Sequence, residues 1–273
     1  MPELPEIKSM ALQLNSEIAG KEISRLYCSN EKCLNMSLAD MQDHLYSRSI
    51  TSVSSRGKWM SADLSDGARL LISLGMGGYL IFHGKGEDPR PGHRILLGFS
   101  DGTSVSVSFW WFGYFHCTGP GQTHPMVDSL GLEPLTEQFT LQAFKKLIRN
   151  SRSEIKLLLL NQKKICGIGN FYIQDLLWLA KIHPKENCSG LSEARIEELY
   201  TVITGYLGHA FGLRGASYEL DIYGNPGGYG SPECGYREGE PCPRCGEKII
   251  KIKTGSTSSF LCPGCQPFNN TSN

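Results

Sequence analysis

The chain has 273 residues, of which 40% are hydrophobic and 20% charged. That length holds about two ordinary domains, and that composition excludes a disordered or fibrous chain. Twenty-seven basic and twenty-seven acidic side chains cancel, so bulk charge gives no support for a nucleic-acid partner, which only a local basic surface could serve.

The longest nearly apolar stretch, 70–82, is interrupted by a serine and three glycines. It is shorter than a bilayer span and reads as buried core. The acidic start Met1-Pro-Glu-Leu-Pro-Glu6 lacks the basic residues and apolar run of a signal peptide. The expectation is an intracellular protein, in cytoplasm and nucleoid or in a nucleus, with no membrane association. Its ten cysteines then read as reduced thiols or metal ligands, not as a disulfide framework.

In chain order, Pro5 to about Gly20 predicts a helix with Ala11, Leu12 and Leu14 among its apolar positions. The first hundred or so residues are otherwise β-rich. Thr103 to Phe109 alternates with period two, which places Val105, Val107, Phe109 and Trp111 on one face, after an Asp101-Gly102 turn. If that strand persists, Trp110 and Phe112 point away from the core face. The segment 119–135 reads as a linker. Helical patterns follow. Ser151-Arg-Ser-Glu154 has capping-box spacing before Ile155, Asn170 is placed to cap a helix over Phe171 to Ala180, and Ser192 to about Phe211 predicts another helix. Between Lys145 and Lys164 seven basic residues face Glu154 alone, either a solvated helix face or a phosphate-binding surface. Leu220 to Pro241, rich in glycine and proline, reads as a loop.

Cys242-Pro-Arg-Cys245 and Cys262-Pro-Gly-Cys265 are 16 residues apart. This is the C-x2-C…C-x2-C spacing of a four-thiolate site for structural Zn2+, the two knuckles joined by a β-hairpin that turns at Gly255. At the other end, removal of Met1 before the small Pro2 would leave a terminal secondary amine. Such an amine titrates near pH 8 and can attack a sugar carbon, expel a base and form an iminium, while a neighbouring carboxylate donates a proton.

Taken together, MPELPE at the start, Arg56-Gly-Lys58, Leu74-Gly-Met76, Gly167-Ile-Gly-Asn170, Ile182-His-Pro184 and the CxxC…CxxCQ end resemble the formamidopyrimidine-DNA glycosylase / endonuclease VIII family along essentially the whole chain. The resemblance implies an α+β protein: an N-terminal catalytic β-sandwich with a flanking helix (1–118), a linker (119–135), a helix–two-turn–helix DNA-binding domain (136–234), a zinc finger (235–268) and a tail (269–273). It implies a bifunctional DNA glycosylase and abasic-site lyase that acts, as a monomer, on double-stranded DNA containing a damaged base or abasic site. Pro2 would be the nucleophile, Glu3 the general acid, Glu6 a supporting carboxylate and Lys58 a phosphate and base contact. Met76 would fill the space of an extruded nucleotide and Phe112 would wedge the stack. Lys156 and Asn170 would hold phosphates.

Two departures stand out. Trp110 occupies the position of an arginine that reads the opposite base, and Thr257 that of a phosphate-gripping arginine in the finger. A catalytically weak or silent member that binds damaged or branched DNA is therefore the alternative reading.

Overall fold

Apolar residues recur every three or four positions from Leu4 onward, and the chain there forms helix α1 (Leu4–Ile18) with Leu4, Ile7, Met10, Ala11, Leu14 and Ile18 buried on one face. Leu12, expected among the apolar positions of this helix, lies off that stripe and is exposed. The structure, a computed structural model, describes residues 1–89, 91–110 and 112–268. The expected tail, 269–273, lies outside them. The described chain divides into two compact units. One comprises Met1–Ser129 with Ala210–Tyr229, the other Leu130–His209 with Gly230–Asn273. The division falls at Ser129/Leu130, and a second segment of the chain, absent from a linear reading, returns to the first unit.

In the first unit, α1 is followed by β1 (Ile23–Cys28), α2 (Leu38–Leu45), β2 (Ile50–Arg56), β3 (Trp59–Leu64), β4 (Arg69–Ser73), β5 (Tyr79–His83), β6 (Ile95–Phe99), β7 (Ser104–Ser108) and β8 (Tyr114–Thr118). These strands make two four-stranded antiparallel sheets, ordered β1-β6-β7-β5 and β2-β3-β4-β8. Both sheets contribute to one apolar core, joined by α1, α2 and Ile222 from the returning segment. This is the β-sandwich with its flanking helix.

β7 buries Val105 and Val107 as the alternation predicted, but it ends at Ser108. Phe109 is buried just beyond the strand, Phe112 adopts a left-handed φ of 56°, and Trp111 lies outside the described residues. The chain therefore leaves the sheet before Trp110 and Phe112, and strand alternation does not set their direction.

In the second unit α3 (Leu141–Arg149), α4 (Ile155–Leu160), α5 (Tyr172–Leu179) and α6 (Glu193–Gly212, whose last turn is counted with the first unit) precede the hairpin of β9 (Ile250–Thr254) and β10 (Thr257–Leu261). The predicted capping box before α4 does not form. Glu154 is the N-cap without a side-chain bond, and Ser151 Oγ instead accepts from Ser153 N, a local turn that competes with capping.

Candidate active site and zinc finger

The amino-terminal carboxylates are set by the start of α1. Glu3 is its N-cap and Glu6 its N3 residue, the spacing of a capping box, and Glu3 N donates to Glu6 Oε2 at 2.7 Å. The other Glu6 oxygen accepts from Ala216 N at 2.8 Å. Pro2, Glu3 and Glu6 are all buried. Gly215, with φ +87°, makes this approach possible, since a Cβ there would lie 2.4 Å from Glu6 Cγ.

The segment carrying Ala216 is tied to α1 along its length. Gln13 Nε2 donates to Asp221 Oδ2 and Tyr223 Oη to Glu17 Oε1. It also brings Glu219, whose carboxylate lies 3.2 Å from the amine of Met1.

Lys58 stands half-buried in the two-residue turn Gly57-Lys58 between β2 and β3, with Gly57 at φ +59°. Met76, in the β4–β5 loop, is 45% exposed, and Trp110 and Phe112 are 72% and 64% exposed. A Cβ on Gly77 would sit 3.2 Å from the Trp110 ring, so the loop of Met76 and the loop after β7 meet. Asn30, Lys32, Arg94, Trp110 and Phe112 line a cleft of about 330 Å³ there. Large aromatics left in water beside a strained residue are unusual in a settled surface.

The second unit corrects one expectation, the cap of α5, and gives Lys156 protein partners. Lys156, expected at a phosphate, is 0% exposed. It sits in the first turn of α4, and its ammonium donates to Ser258 O and, at 2.9 Å, to Ser259 Oγ on β10. Burial pushes its pKa down to about 8. Asn170 does not cap α5. The cap is Phe171, because Ile173 N bonds back to Gly169 O, while Asn170 Nδ2 donates to Tyr236 Oη at 3.2 Å and its Oδ1 accepts from Gln174.

The basic run divides as well. Lys145 and Arg149 pair with Glu193 and Glu197 of α6, while Lys146, Arg152, Lys163 and Lys164 are exposed. Thr257 opens β10, its Oγ1 donating to Thr254 O across the turn.

The four cysteines come together as the spacing predicts, with all Sγ atoms within 4.8 Å of one another. The Cys242–Cys265, Cys245–Cys262 and Cys245–Cys265 separations are 3.8, 3.3 and 3.5 Å. Tetrahedral zinc with Zn–S of about 2.3 Å needs sulfurs about 3.8 Å apart, so the donor set fits a structural Zn2+. Arg244 N donates to Cys242 Sγ, and Gln266 receives Cys262 N and donates to Ile182 O. These contacts orient the knuckles. The metal cross-links a segment whose own core is only a few apolar side chains around Trp178 and Phe260.

Three family models match in sequence. They are the formamidopyrimidine-DNA glycosylase N-terminal domain over residues 1–108, its H2TH domain over 130–220, and the zinc finger found in FPG and IleRS over 239–267. The formamidopyrimidine-DNA glycosylase of Pelotomaculum thermopropionicum is 33% identical over 97% of this chain and 99% of its own. That of Symbiobacterium thermophilum is 33% identical over 98% and 90%. The chain belongs to the formamidopyrimidine-DNA glycosylase family. Among solved structures, the complex of Lactococcus lactis Fpg with abasic-site DNA matches with TM-score 0.88 and 29% identity over 97% of this chain and 100% of that one. The same enzyme's complex with DNA containing N7-benzyl-Fapy-dG matches with TM-score 0.88 and 27% identity.

Within this glycosylase fold, sequence reasoning missed Glu219, which lies more than 200 residues from the terminus it faces. It also missed Asp175, a fully buried carboxylate on α5 that accepts from Tyr206 Oη and from the N–H groups of Glu233, Cys234 and Gly235. No local spacing announces either. Lys253, exposed on β9 opposite Ser258, is a cation that attention to the hairpin tip alone passes over. Among the described residues, no helix is long and apolar enough to cross a membrane.

Proposed function

We propose that this family member is a bifunctional DNA glycosylase and abasic-site lyase acting on double-stranded DNA with an oxidised base or an abasic site, with Pro2 as nucleophile once Met1 is removed. The observation that carries the reading is the start of α1, where buried Glu3 directly follows the candidate nucleophile and its N–H is held by buried Glu6. The Pro2 nitrogen attacks C1′, and the bond to the base breaks with its electrons leaving on the base. The N–H proton that remains on the attached nitrogen is lost to solvent, and the freed electron pair then opens the sugar ring to an iminium as Glu3 protonates the departing ring oxygen. Both oxygens of Glu6 already accept backbone N–H groups, which suits a residue that holds Glu3 and the 210–229 segment in place.

Lys58, at a hairpin tip, is assigned to the phosphate and base on this face. Met76, Trp110 and Phe112 form the exposed apolar surface that can enter a duplex once a nucleotide is extruded. In the second unit, backbone contact falls to Asn170 and exposed lysines such as Lys163, Lys164 and Lys253. Lys156 is reassigned as a clamp on β10, and Thr257 contributes no charge. The enzyme is placed inside the cell, with the DNA.

The test is borohydride trapping on abasic-site duplex DNA, using protein whose mass gives Pro2 as first residue, beside Pro2→Gly. The expected result is a covalent adduct that the substitution abolishes or cuts by on the order of a hundredfold. DNA bound by Pro2-terminated protein without adduct would instead establish the silent, DNA-binding reading, which the uncharged hairpin tip Thr254–Ser259 favours.

A further inference from the structure

Glu219 forms an ion pair with the chain's first amine, and nothing so far gives it a task. Its side chain is 11% exposed and lies 3.2 Å from the Met1 nitrogen. Its own backbone is fixed, since Glu219 N donates to Ala216 O and Glu219 O accepts from Gly227 N. Ala216 in turn is bonded to Glu6. The network that orients Glu3 thus also holds Glu219 at the terminus. Removing Met1 transfers the free amine to Pro2, the residue bonded to it, and leaves Glu219 as a carboxylate already seated at that end of the chain.

We propose that Glu219 is the proton acceptor for the terminal amine of Pro2, an inference that rests on the reading of Pro2 as nucleophile. A secondary ammonium has no lone pair and cannot attack. One N–H proton passes to a Glu219 oxygen, and the electron pair left on nitrogen forms the bond to C1′. The carboxylic acid so formed returns its proton to solvent or to the amine after release.

Glu3 and Glu219 thereby divide the work by direction: Glu3 gives a proton to the sugar and Glu219 takes one from the nucleophile. The charged groups facing Glu219 are the terminal amine and Glu3. Burial raises the Glu219 carboxyl above its ordinary range, the ammonium opposes this and the Glu3 charge adds to it. A carboxyl so raised lies closer in proton affinity to an amine near 8, which makes the transfer less uphill.

The experiment compares wild type, Glu219→Gln and Glu219→Asp, each with Pro2 confirmed as first residue by mass. The measurement is the single-turnover rate of borohydride trapping at saturating abasic-site DNA between about pH 6 and pH 9. Glu219→Gln is expected to be slower by about tenfold or more near pH 6.5, with the gap closing toward pH 9, where the amine loses its proton unaided, and Glu219→Asp is expected to lie between. Equal rates at every pH, or a deficit of one size at every pH as a merely structural role would give, overturn the proposal.

If Glu219→Gln does not fold, the same trapping profile decides between wild type and Glu219→Asp. A rate that falls more steeply toward about pH 6.5 in Glu219→Asp than in wild type supports the proposal. Profiles of one shape in both refute it. No wild-type adduct at all sinks the Pro2 reading and this inference with it, whereas a normal wild-type adduct matched by Glu219→Gln sinks this one alone.

Discussion

Glu6 and Asp175 use one device in two different units. Each is a buried carboxylate on a helix, and each accepts backbone N–H groups from a segment distant in sequence: Ala216 for Glu6, and Glu233, Cys234 and Gly235 for Asp175. Buried carboxylates are costly unless fully hydrogen-bonded, so both are fixed by their donors. Yet Glu6 sits three residues from Glu3 and the candidate nucleophile, while Asp175 anchors the chain just before the finger. Hydrogen-bond pattern alone therefore does not separate a catalytic support from a structural bolt. What separates them is the reacting group nearby.

Asp175→Asn should have the largest effect on stability. Asp175 takes Cys234 N and Gly235 N on one oxygen, Tyr206 Oη and Glu233 N on the other. An amide NH2 in place of either oxygen would face two donors and leave them unpaired, at about 1–3 kcal/mol each. The loss should be about 4 kcal/mol, read by denaturant unfolding of the zinc-loaded protein. Adduct chemistry per folded molecule should be unchanged. A specific rate that fell with stability intact would break the comparison, by making Asp175 a functional group.

Glu6→Gln is milder in stability and sharper in meaning. Of Glu3 N and Ala216 N, which donate to different oxygens of Glu6, one loses its acceptor, a cost of about 1–3 kcal/mol. Because those donors position Glu3 and the segment bearing Glu219, the trapping rate per folded molecule should also fall. If it holds at the wild-type value while stability drops, Glu6 is a bolt of the same kind as Asp175.

This contrast marks what could be read along the chain. The zinc ligands, the hairpin turning after Thr254 and α1 depend on residues a few positions apart, and spacing is enough to read them, whereas Lys58 comes from the family resemblance. Leu12 was misplaced because an apolar residue need not lie on the helix's buried stripe. The end of β7 at Ser108 was invisible because alternation continues in sequence after the strand has stopped. Glu219, Asp175, the return of 210–229 to the first unit and the burial of Lys156 depend on contacts that join distant segments. Motif resemblance pointed to Lys156 but could not show that β10 covers it.

Lys156 supplies the smallest effect and the converse case, a buried cation that donates to two neutral acceptors, Ser258 O and Ser259 Oγ. Its pKa falls from 10.5 to about 8 through burial. Between those values the unfolded chain binds a proton that the folded one has released, so this group makes stability rise with pH across that window and stay flat below it. Wild-type stability, corrected by a Lys156→Met control, should therefore increase from about pH 8 toward pH 10. At neutral pH the substitution itself should change stability by only about 1 kcal/mol, because the lost hydrogen bonds offset the relief of a desolvated charge. The same control tests the reassignment. A clamp on β10 predicts that Lys156→Met leaves the salt dependence of DNA binding as it was, whereas a phosphate contact would lower its slope by about one. An unchanged slope would leave Lys156 with Asp175, among the groups that hold the second unit together, and apart from those that hold DNA.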